Sequence, residues 1–153
     1  MFYTKKGFTT MEILVVLAVL SFIVAITFSS LSDFRNKSAL KSSTQTALSV
    51  LQNARQKTLS SENLSQYGVH IDDSDLTLFT GSSYSQGLSS NIVYSIDSNI
   101  EVTYSLNGGG SDIVFDRLTG QTSNYGTITF SLSSDNAKYK TITINNMGSV
   151  YEE

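Results

Sequence analysis

The sequence predicts an α+β fold in which one long amino-terminal helix packs on an antiparallel β-sheet domain. Residues 13–32 carry no charged side chain, and no proline or glycine occurs between Phe8 and Glu62. From Tyr67 onwards apolar and polar residues alternate, which is the period of a β-strand. A helix with an apolar first half and an amphipathic second half, followed by a β-rich remainder, accounts for these observations.

Composition limits the classes of function. The chain has 153 residues, which suits one globular domain in addition to the apolar helix. Ten basic residues face thirteen acidic ones, a net charge of −3, so the surface as a whole does not attract the phosphates of nucleic acid. The chain has no cysteine, which excludes disulfide bonds and thiolate chemistry.

The charge-free segment has the length of a membrane span. A helix of its 20 residues is about 30 Å long, which matches the core of a bilayer. Lys5 and Lys6 precede it, so we expect this end to stay cytoplasmic. We predict a transmembrane helix over residues 8–32 and its amphipathic continuation over residues 33–61. The apolar residues of the continuation share one face: Leu40, Ala47, Leu48, Leu51 and Ala54, with Val50 and Leu59 beside them.

Two simpler interpretations of the amino-terminal segment remain open. A secretory signal peptide has an apolar region of about 7–15 residues and a small-residue cleavage site, and the run here is longer. A plain signal anchor fits the hydropathy and the two lysines, but it gives no role to Gly7, Phe8 and Glu12.

Gly7, Phe8 and Glu12 form a pattern with the apolar run that follows them. Together with the short basic leader, this pattern resembles the class III prepilin signal of type IV pilins and type II secretion pseudopilins. In that family a membrane peptidase cuts after the glycine and methylates the new amine. The resemblance implies a leader peptide over residues 1–7, cleavage between Gly7 and Phe8, and N-methylation of Phe8. It also implies three partners: the prepilin peptidase/methyltransferase, other major and minor pilin or pseudopilin subunits, and an inner-membrane assembly platform.

Glu12 has two possible roles. A charged carboxylate near the bilayer centre costs about 2.5–3.5 kcal/mol, and a free amine on Phe8 is unfavourable at the positive end of a helix dipole. Pairing Glu12 with that amine, of its own or a neighbouring subunit, offsets both costs and would set the register of a filament. Alternatively, Thr9 and Glu12 form a capping box, which is worth about 1 kcal/mol and needs no partner subunit.

Residues 62–153 are predicted to form a β-rich domain outside the cytoplasm. The alternation of apolar residues predicts about seven short strands without helices between them, and therefore an antiparallel sheet. The alternating residues are Val69 and Ile71; Leu76 and Leu78; Ile100, Val102, Tyr104 and Leu106; Ile113 and Phe115; Ile128, Phe130 and Leu132; and Ile142 and Ile144.

Residues 48–151 resemble the GspH/FimT domain of minor pseudopilins and minor type IV pilins. The matching pieces are Ala54-Arg55, Tyr67-Gly68-Val69, Ile113 to Asp116, Gly120, Gly126 to Thr129, Thr141 to Ile144, and Met147 to Val150. Some relatives bind DNA through basic residues in the final hairpin. Here residues 148–153 end in Glu152 and Glu153, so we do not expect nucleic acid as a partner.

Candidate catalytic and metal-binding residues are few. His70 is the single histidine, and we expect it at the sheet surface without a catalytic role. A solvated turn explains Asp72, Asp73 and Asp75 better than a calcium site does, because they lack the spacing of an EF-hand. Similarly, Asp112 and Asp116 are expected to be solvent-exposed charges. We therefore predict no enzyme activity, no metal and no cofactor.

Both resemblances imply a structural subunit. The first expectation is a minor pseudopilin, at or near the tip of the periplasmic pseudopilus of a type II secretion system. The alternative is a minor type IV pilin in pilus assembly, adhesion, motility or DNA uptake. Either protein would be a single-pass protein of the bacterial inner membrane, with a cytoplasmic amino terminus and a periplasmic carboxy-terminal domain.

Overall fold

A computed structural model of the chain describes residues 7–153, and for residues 26–30 it describes the backbone alone. These residues belong to two compact units, one ending at Asn36 and the other formed by Lys37–Glu153. Apart from Gly7, the predicted leader lies outside the described residues. The side chains of residues 26–30, which belong to the predicted transmembrane helix, also lie outside them.

The first element is helix α1, Thr10–Leu59. It is uninterrupted over 50 residues because no proline or glycine occurs within it. A short 3-10 helix, Glu62–Leu64, follows it. Within the part of the chain that the structure describes, no helix is both long enough and apolar enough to span a membrane. The transmembrane helix over residues 8–32 therefore stays a prediction.

In the second unit, one face of α1 is buried. Leu40, Ala47, Val50, Leu51 and Ala54 are between 0 and 6% exposed, as the amphipathic pattern predicts. Two buried threonines on this helix satisfy their hydroxyl groups locally. Each hydroxyl donates to the carbonyl oxygen four residues earlier at 2.8 Å, from Thr44 to Leu40 and from Thr58 to Ala54.

Eight strands follow the helix and form two antiparallel sheets of four strands each. The strands are β1 (Tyr67–Ile71), β2 (Asp75–Thr80), β3 (Ile92–Ser95), β4 (Ile100–Leu106), β5 (Asp112–Val114), β6 (Gly126–Leu132), β7 (Asp135–Ile144) and β8 (Val150–Glu152). The first sheet has the order β3-β2-β1-β5, and the second has the order β4-β6-β7-β8.

One hydrophobic core joins α1 to both sheets. Leu51 of the helix, Val69 and Ile113 of the first sheet, and Phe130 and Ile142 of the second are each 0% exposed. The predicted α+β fold, a long helix packed on antiparallel sheet, is therefore confirmed.

Three details differ from the sequence-based expectation. The alternation predicted neither β3, where consecutive apolar residues lie on an exposed edge, nor the division into two sheets. In addition, β2 buries Thr77 and Phe79 as well as the predicted Leu76 and Leu78. Both of its faces are covered, because the loop that follows β2 folds back over the sheet and places Tyr84 beside Phe79.

Candidate processing and assembly site

The predicted cleavage site lies just before the first turn of α1. Gly7 and Phe8 precede the helix, and the Phe8 side chain is 81% exposed. Among the described residues, no heavy atom outside Gly7 and its chain neighbours lies within 4 Å of the position that a Cβ on Gly7 would occupy. Both residues are exposed in the part of the chain that the structure describes, and cleavage between them stays a prediction.

Glu12 lies in the first turn of α1, where Thr9 caps the helix. The backbone N–H of Glu12 donates to the Thr9 hydroxyl at 3.3 Å and to the Thr9 carbonyl oxygen at 3.1 Å. This is the threonine half of a capping box. Among residues 7–153, the Glu12 carboxylate has no hydrogen-bond or ion-pair partner. The cap therefore leaves the carboxylate free for another contact, and its role in assembly stays a prediction.

Arg55 joins the carboxy-terminal end of α1 to two loops. Its Nε donates to the carbonyl oxygen of Gly120, between β5 and β6, at 3.3 Å. Its Nη2 donates to the carbonyl oxygen of Met147, between β7 and β8, also at 3.3 Å. The three matching pieces Ala54-Arg55, Gly120 and Met147 to Val150 therefore meet at one place, although they are far apart in sequence.

Gly148 makes this meeting point possible. Its φ is +75°, in the left-handed region that glycine adopts without strain. A Cβ at this position would lie 1.8 Å from the Gly120 carbonyl oxygen, which is far inside van der Waals contact. The absence of a side chain on Gly148 therefore allows its loop to pack directly against the backbone of Gly120.

His70, Asp112 and Tyr84 form a cluster that the sequence did not indicate. The Nδ1 atom of His70 lies 2.6 Å from Oδ1 of Asp112, because the register of β1 and β5 pairs these two residues. The His70 ring stacks on Tyr84 at a centroid distance of 3.9 Å, and the Tyr84 backbone N–H donates to Oδ2 of Asp112. Asp112 is therefore a paired carboxylate, and its predicted role as a solvent-exposed charge was wrong.

Lys57 and Glu62 form an ion pair at the end of α1, with 2.5 Å between Nζ and Oε1. The hydrogen bond that Lys57 donates to the Glu62 carboxylate raises the pKa of Lys57 above its ordinary value, although desolvation opposes this shift. The pair ties the last turn of α1 to the 3-10 helix that follows.

Asp72, Asp73 and the first residue of β2, Asp75, form the turn of the β1–β2 hairpin. The Asp72 backbone N–H donates to the Asp75 carbonyl oxygen at 3.0 Å, and the Asp73 N–H donates to Oδ1 of Asp72 at 2.8 Å. Within the described part of the chain, no group of three acidic, histidine or cysteine side chains has the arrangement of a metal site.

Comparison with known proteins gives structural matches. No protein-family profile matches the sequence, and no curated protein resembles it closely enough to match. The type IV minor pilin FimU of Pseudomonas aeruginosa matches in two crystal forms, both at 15% identity, with TM-scores of 0.58 and 0.61. These matches cover 74% and 78% of this chain and 92% of FimU in each case.

The minor pseudopilin EpsH from the type 2 secretion system of Vibrio cholerae matches at 12% identity with a TM-score of 0.56. That match covers 74% of this chain and 95% of EpsH. Likeness at such low identity establishes the fold. The chain therefore has the type IV pilin-like fold, in the form found in minor pilins and minor pseudopilins.

Proposed function

We propose that this chain is a pilin-like structural subunit, and more specifically a minor pseudopilin of a type II secretion system. The observation that carries this proposal is a coincidence of two independent features. The chain has the fold of minor pilins and pseudopilins, and Gly7, Phe8 and Glu12 stand at the start of its long helix in the spacing of a prepilin signal. A membrane-anchored enzyme would need neither.

In this proposal different amino-terminal residues serve processing, membrane anchoring and assembly. A prepilin peptidase removes residues 1–7 and methylates the Phe8 amine, and residues 8–32 hold the subunit in the inner membrane. Glu12 then neutralises the amine of a neighbouring subunit as the filament grows. The exposed Phe8 and the Glu12 carboxylate, which has no partner among residues 7–153, support this assignment.

The β-rich part of the chain supports a packing role. Its acidic balance gives no general attraction for nucleic acid, and Lys140 in the last hairpin is paired with Glu152. We propose that this part faces the periplasm and contacts other subunits at or near the tip. No catalytic or cofactor chemistry is part of the proposal.

A minor type IV pilin is the alternative function, and the likeness to FimU favours it. Its TM-scores of 0.58 and 0.61 are similar to the 0.56 of EpsH. Both functions predict the same processing, so they differ in the machine that the subunit serves.

Mass spectrometry of the mature chain tests the processing. We expect a first residue of N-methylated Phe8, and an intact Met1 or a cut beyond Ser30 would exclude a pilin-like subunit. Deleting the gene then distinguishes the machines. Loss of exoprotein secretion with normal twitching and transformation supports the pseudopilin, whereas the reverse pattern supports the type IV pilin.

A further inference from the structure

Strand β3 is an open edge of the first sheet, and it lacks the charge that the other edge strands carry. The two sheets end in four edge strands: β3 and β5 in the first, and β4 and β8 in the second. Three of these edges contain an acidic residue, namely Asp112 in β5, Glu101 in β4 and Glu152 in β8. Strand β3, Ile92–Ser95, contains none. Charged side chains on an edge discourage pairing with another chain, so β3 is the edge without this protection.

The register of β3 leaves alternate backbone groups open. Ile92 and Tyr94 lie opposite Leu78 and Leu76 of β2. The Ile96 N–H donates to the Ser74 carbonyl oxygen at 2.9 Å, so Ile96 and every second residue before it bond to β2. Val93 and Ser95 therefore direct their N–H and C=O groups away from β2. Among residues 7–153, these four groups have no hydrogen-bond partner.

A groove separates this open edge from helix α1. It consists of two adjoining clefts of about 440 and 320 Å³, a size typical of ligand clefts. Residues of α1 form one wall of each cleft, and residues of β3 or directly after it form the other. Ser42 and Thr46 of α1 border both clefts, which makes them continuous. We call this the α1–β3 groove, and it lies between residues 39–53 and residues 94–97.

The lining of the α1–β3 groove is polar and almost free of charge. Residues 42–54 of α1 contain no charged side chain, and Gln45, Ser49 and Asn53 supply amide and hydroxyl groups to the groove. Asp97, at one end, is the single charged residue of the lining. A charged group that entered beside Ser49 would lose water without gaining a counter-charge. The groove therefore suits uncharged side chains that can form hydrogen bonds.

We infer that an extended, uncharged segment of another protein binds in the α1–β3 groove and adds a fifth strand to the first sheet. The backbone of this segment bonds to the open groups of Val93 and Ser95, and every second side chain enters the groove beside Ser49. Strand addition of this kind is a recurrent mode of peptide recognition. Because β3 has four residues and is about 13 Å long, the paired part of the segment has about four to six residues.

Two other occupants explain the observations less well. A second copy of β3 presents Tyr94 and Ile96 on the face that would enter the groove, and both already pack against the core of their own copy. A neutral glycan could bond to the amide and hydroxyl groups, but it gives no role to the open backbone of Val93 and Ser95. The inference depends on the fold of the second unit and not on processing or on the proposed function, so either can fail while the other stands.

Amide hydrogen exchange of the full-length, isotope-labelled protein in detergent micelles tests the pairing. The probe is a phage-displayed library of random octapeptides, from which we expect uncharged sequences to be enriched. A synthetic peptide of enriched sequence should slow exchange of the Val93 and Ser95 amides about tenfold or more, whereas the Ile92 and Tyr94 amides already bond to β2 and should change little. Enrichment of no sequence, or binding without protection of Val93 and Ser95, would overturn the inference. Protection that rises with protein concentration alone would identify a second copy as the occupant and would also contradict it.

Two pairs of variants test the backbone and the groove separately. Val93→Pro removes the open N–H, which an edge strand tolerates, and Val93→Thr is its control with similar shape and an intact N–H. Ser49→Trp fills the groove, and Ser134→Trp, in the exposed turn between β6 and β7, is its control. We expect Val93→Pro and Ser49→Trp each to weaken peptide binding about tenfold or more, and the controls to change it less than about twofold. Equal binding to Val93→Pro and Val93→Thr would exclude strand addition, and a neutral glycan bound by both but excluded by Ser49→Trp would show a different class of ligand. Thermal unfolding checks that each variant keeps its fold. If Val93→Pro does not fold, Ser49→Trp and the amide protection still decide.

Discussion

The two possible roles of Glu12, pairing with an amine and helix capping, make opposite predictions. Thr9 caps the helix through the backbone N–H of residue 12, a bond that glutamine keeps. Glutamine has no charge with which to neutralise the Phe8 amine of a neighbour. We expect Glu12→Gln to leave the subunit folded in the membrane and to reduce its incorporation into filaments about tenfold or more, since an unpaired charge in a low dielectric costs several kcal/mol.

The measurement is the amount of subunit recovered in sheared filaments relative to the membrane fraction. Glu101→Gln is the matched control, because Glu101 is exposed on β4 and far from the amino terminus in sequence. Normal assembly of Glu12→Gln would leave helix capping as the sole role of this residue.

Arg55 is a second residue whose role can be tested, here through stability. Methionine preserves the apolar stem but removes both hydrogen bonds, to the carbonyl oxygens of Gly120 and Met147. We expect Arg55→Met to lower the free energy of unfolding by about 1–3 kcal/mol, because the carbonyl of the buried Gly120 is left without this donor. Urea denaturation measures the change. Lys41→Met, on an exposed part of the same helix, should change stability by less than about 0.5 kcal/mol.

The surroundings of some residues can be predicted from the sequence alone. The position of Glu12 in the first turn of α1 could be predicted, because its spacing from Gly7 and from the apolar run is local. The pairing of Asp112 could not be predicted, because its partner His70 is 42 positions away and only the register of β1 with β5 brings them together. The same limit applies to Arg55, which the sequence places on a helix without indicating the two loops that it joins.

Among the larger elements, the loop between β2 and β3 acts as a cover for the first sheet. Tyr84 holds it there through its ring contacts with His70 and Phe79 and its backbone bond to Asp112. Tyr84→Ala should lower the free energy of unfolding by about 1–3 kcal/mol. The loop, residues 81–91, should also become the first site of proteolytic cleavage, since it loses its main attachment.

Limited proteolysis with peptide mapping checks this prediction. Tyr139→Ala is the control, because Tyr139 is 61% exposed on β7, in the second sheet. A first cut elsewhere, at the rate of the unsubstituted chain, would mean that other contacts hold the loop.

The elements also differ in predictability. Helix α1 and the strands β4 and β6 follow from local periodicity, and Ile100, Val102, Ile128, Phe130 and Leu132 are buried as the alternation predicts. Two residues depart from the alternation, because Tyr104 is 40% exposed and Ser131 is buried. Strand β3 does not follow from periodicity, because Ile92 and Val93 are both exposed and show no alternation. Its pairing with β2 defines it, and pairing is a non-local property. The burial of Thr77 has a similar origin, since a loop covers the face that the pattern assigned to solvent.

For the second unit as a whole, the shared core has a thermodynamic consequence. Leu51 of α1 and residues of both sheets belong to one apolar cluster, so neither sheet has a core of its own. The helical part of this unit should therefore lose its packing when the sheets do. The sequence predicts that the helix packs on antiparallel sheet, but it does not indicate that two sheets share one helix face, since this depends on pairing between distant strands.

A substitution of Phe130 tests whether the helix and the two sheets unfold together, because Phe130 lies in the middle of β6 and is 0% exposed. Phe130→Ala should lower the free energy of unfolding by about 3–5 kcal/mol through lost burial and the remaining cavity. Circular dichroism at about 222 nm follows the helix, and tyrosine fluorescence follows the sheets. Both transitions should move to lower urea concentration together, since elements that share one core unfold cooperatively. Tyr104→Ala on the neighbouring strand, where the side chain is 40% exposed, should move them far less. If fluorescence shifts while the helical transition of residues 37–59 stays in place, the sheets unfold separately from the helix and the core is not cooperative.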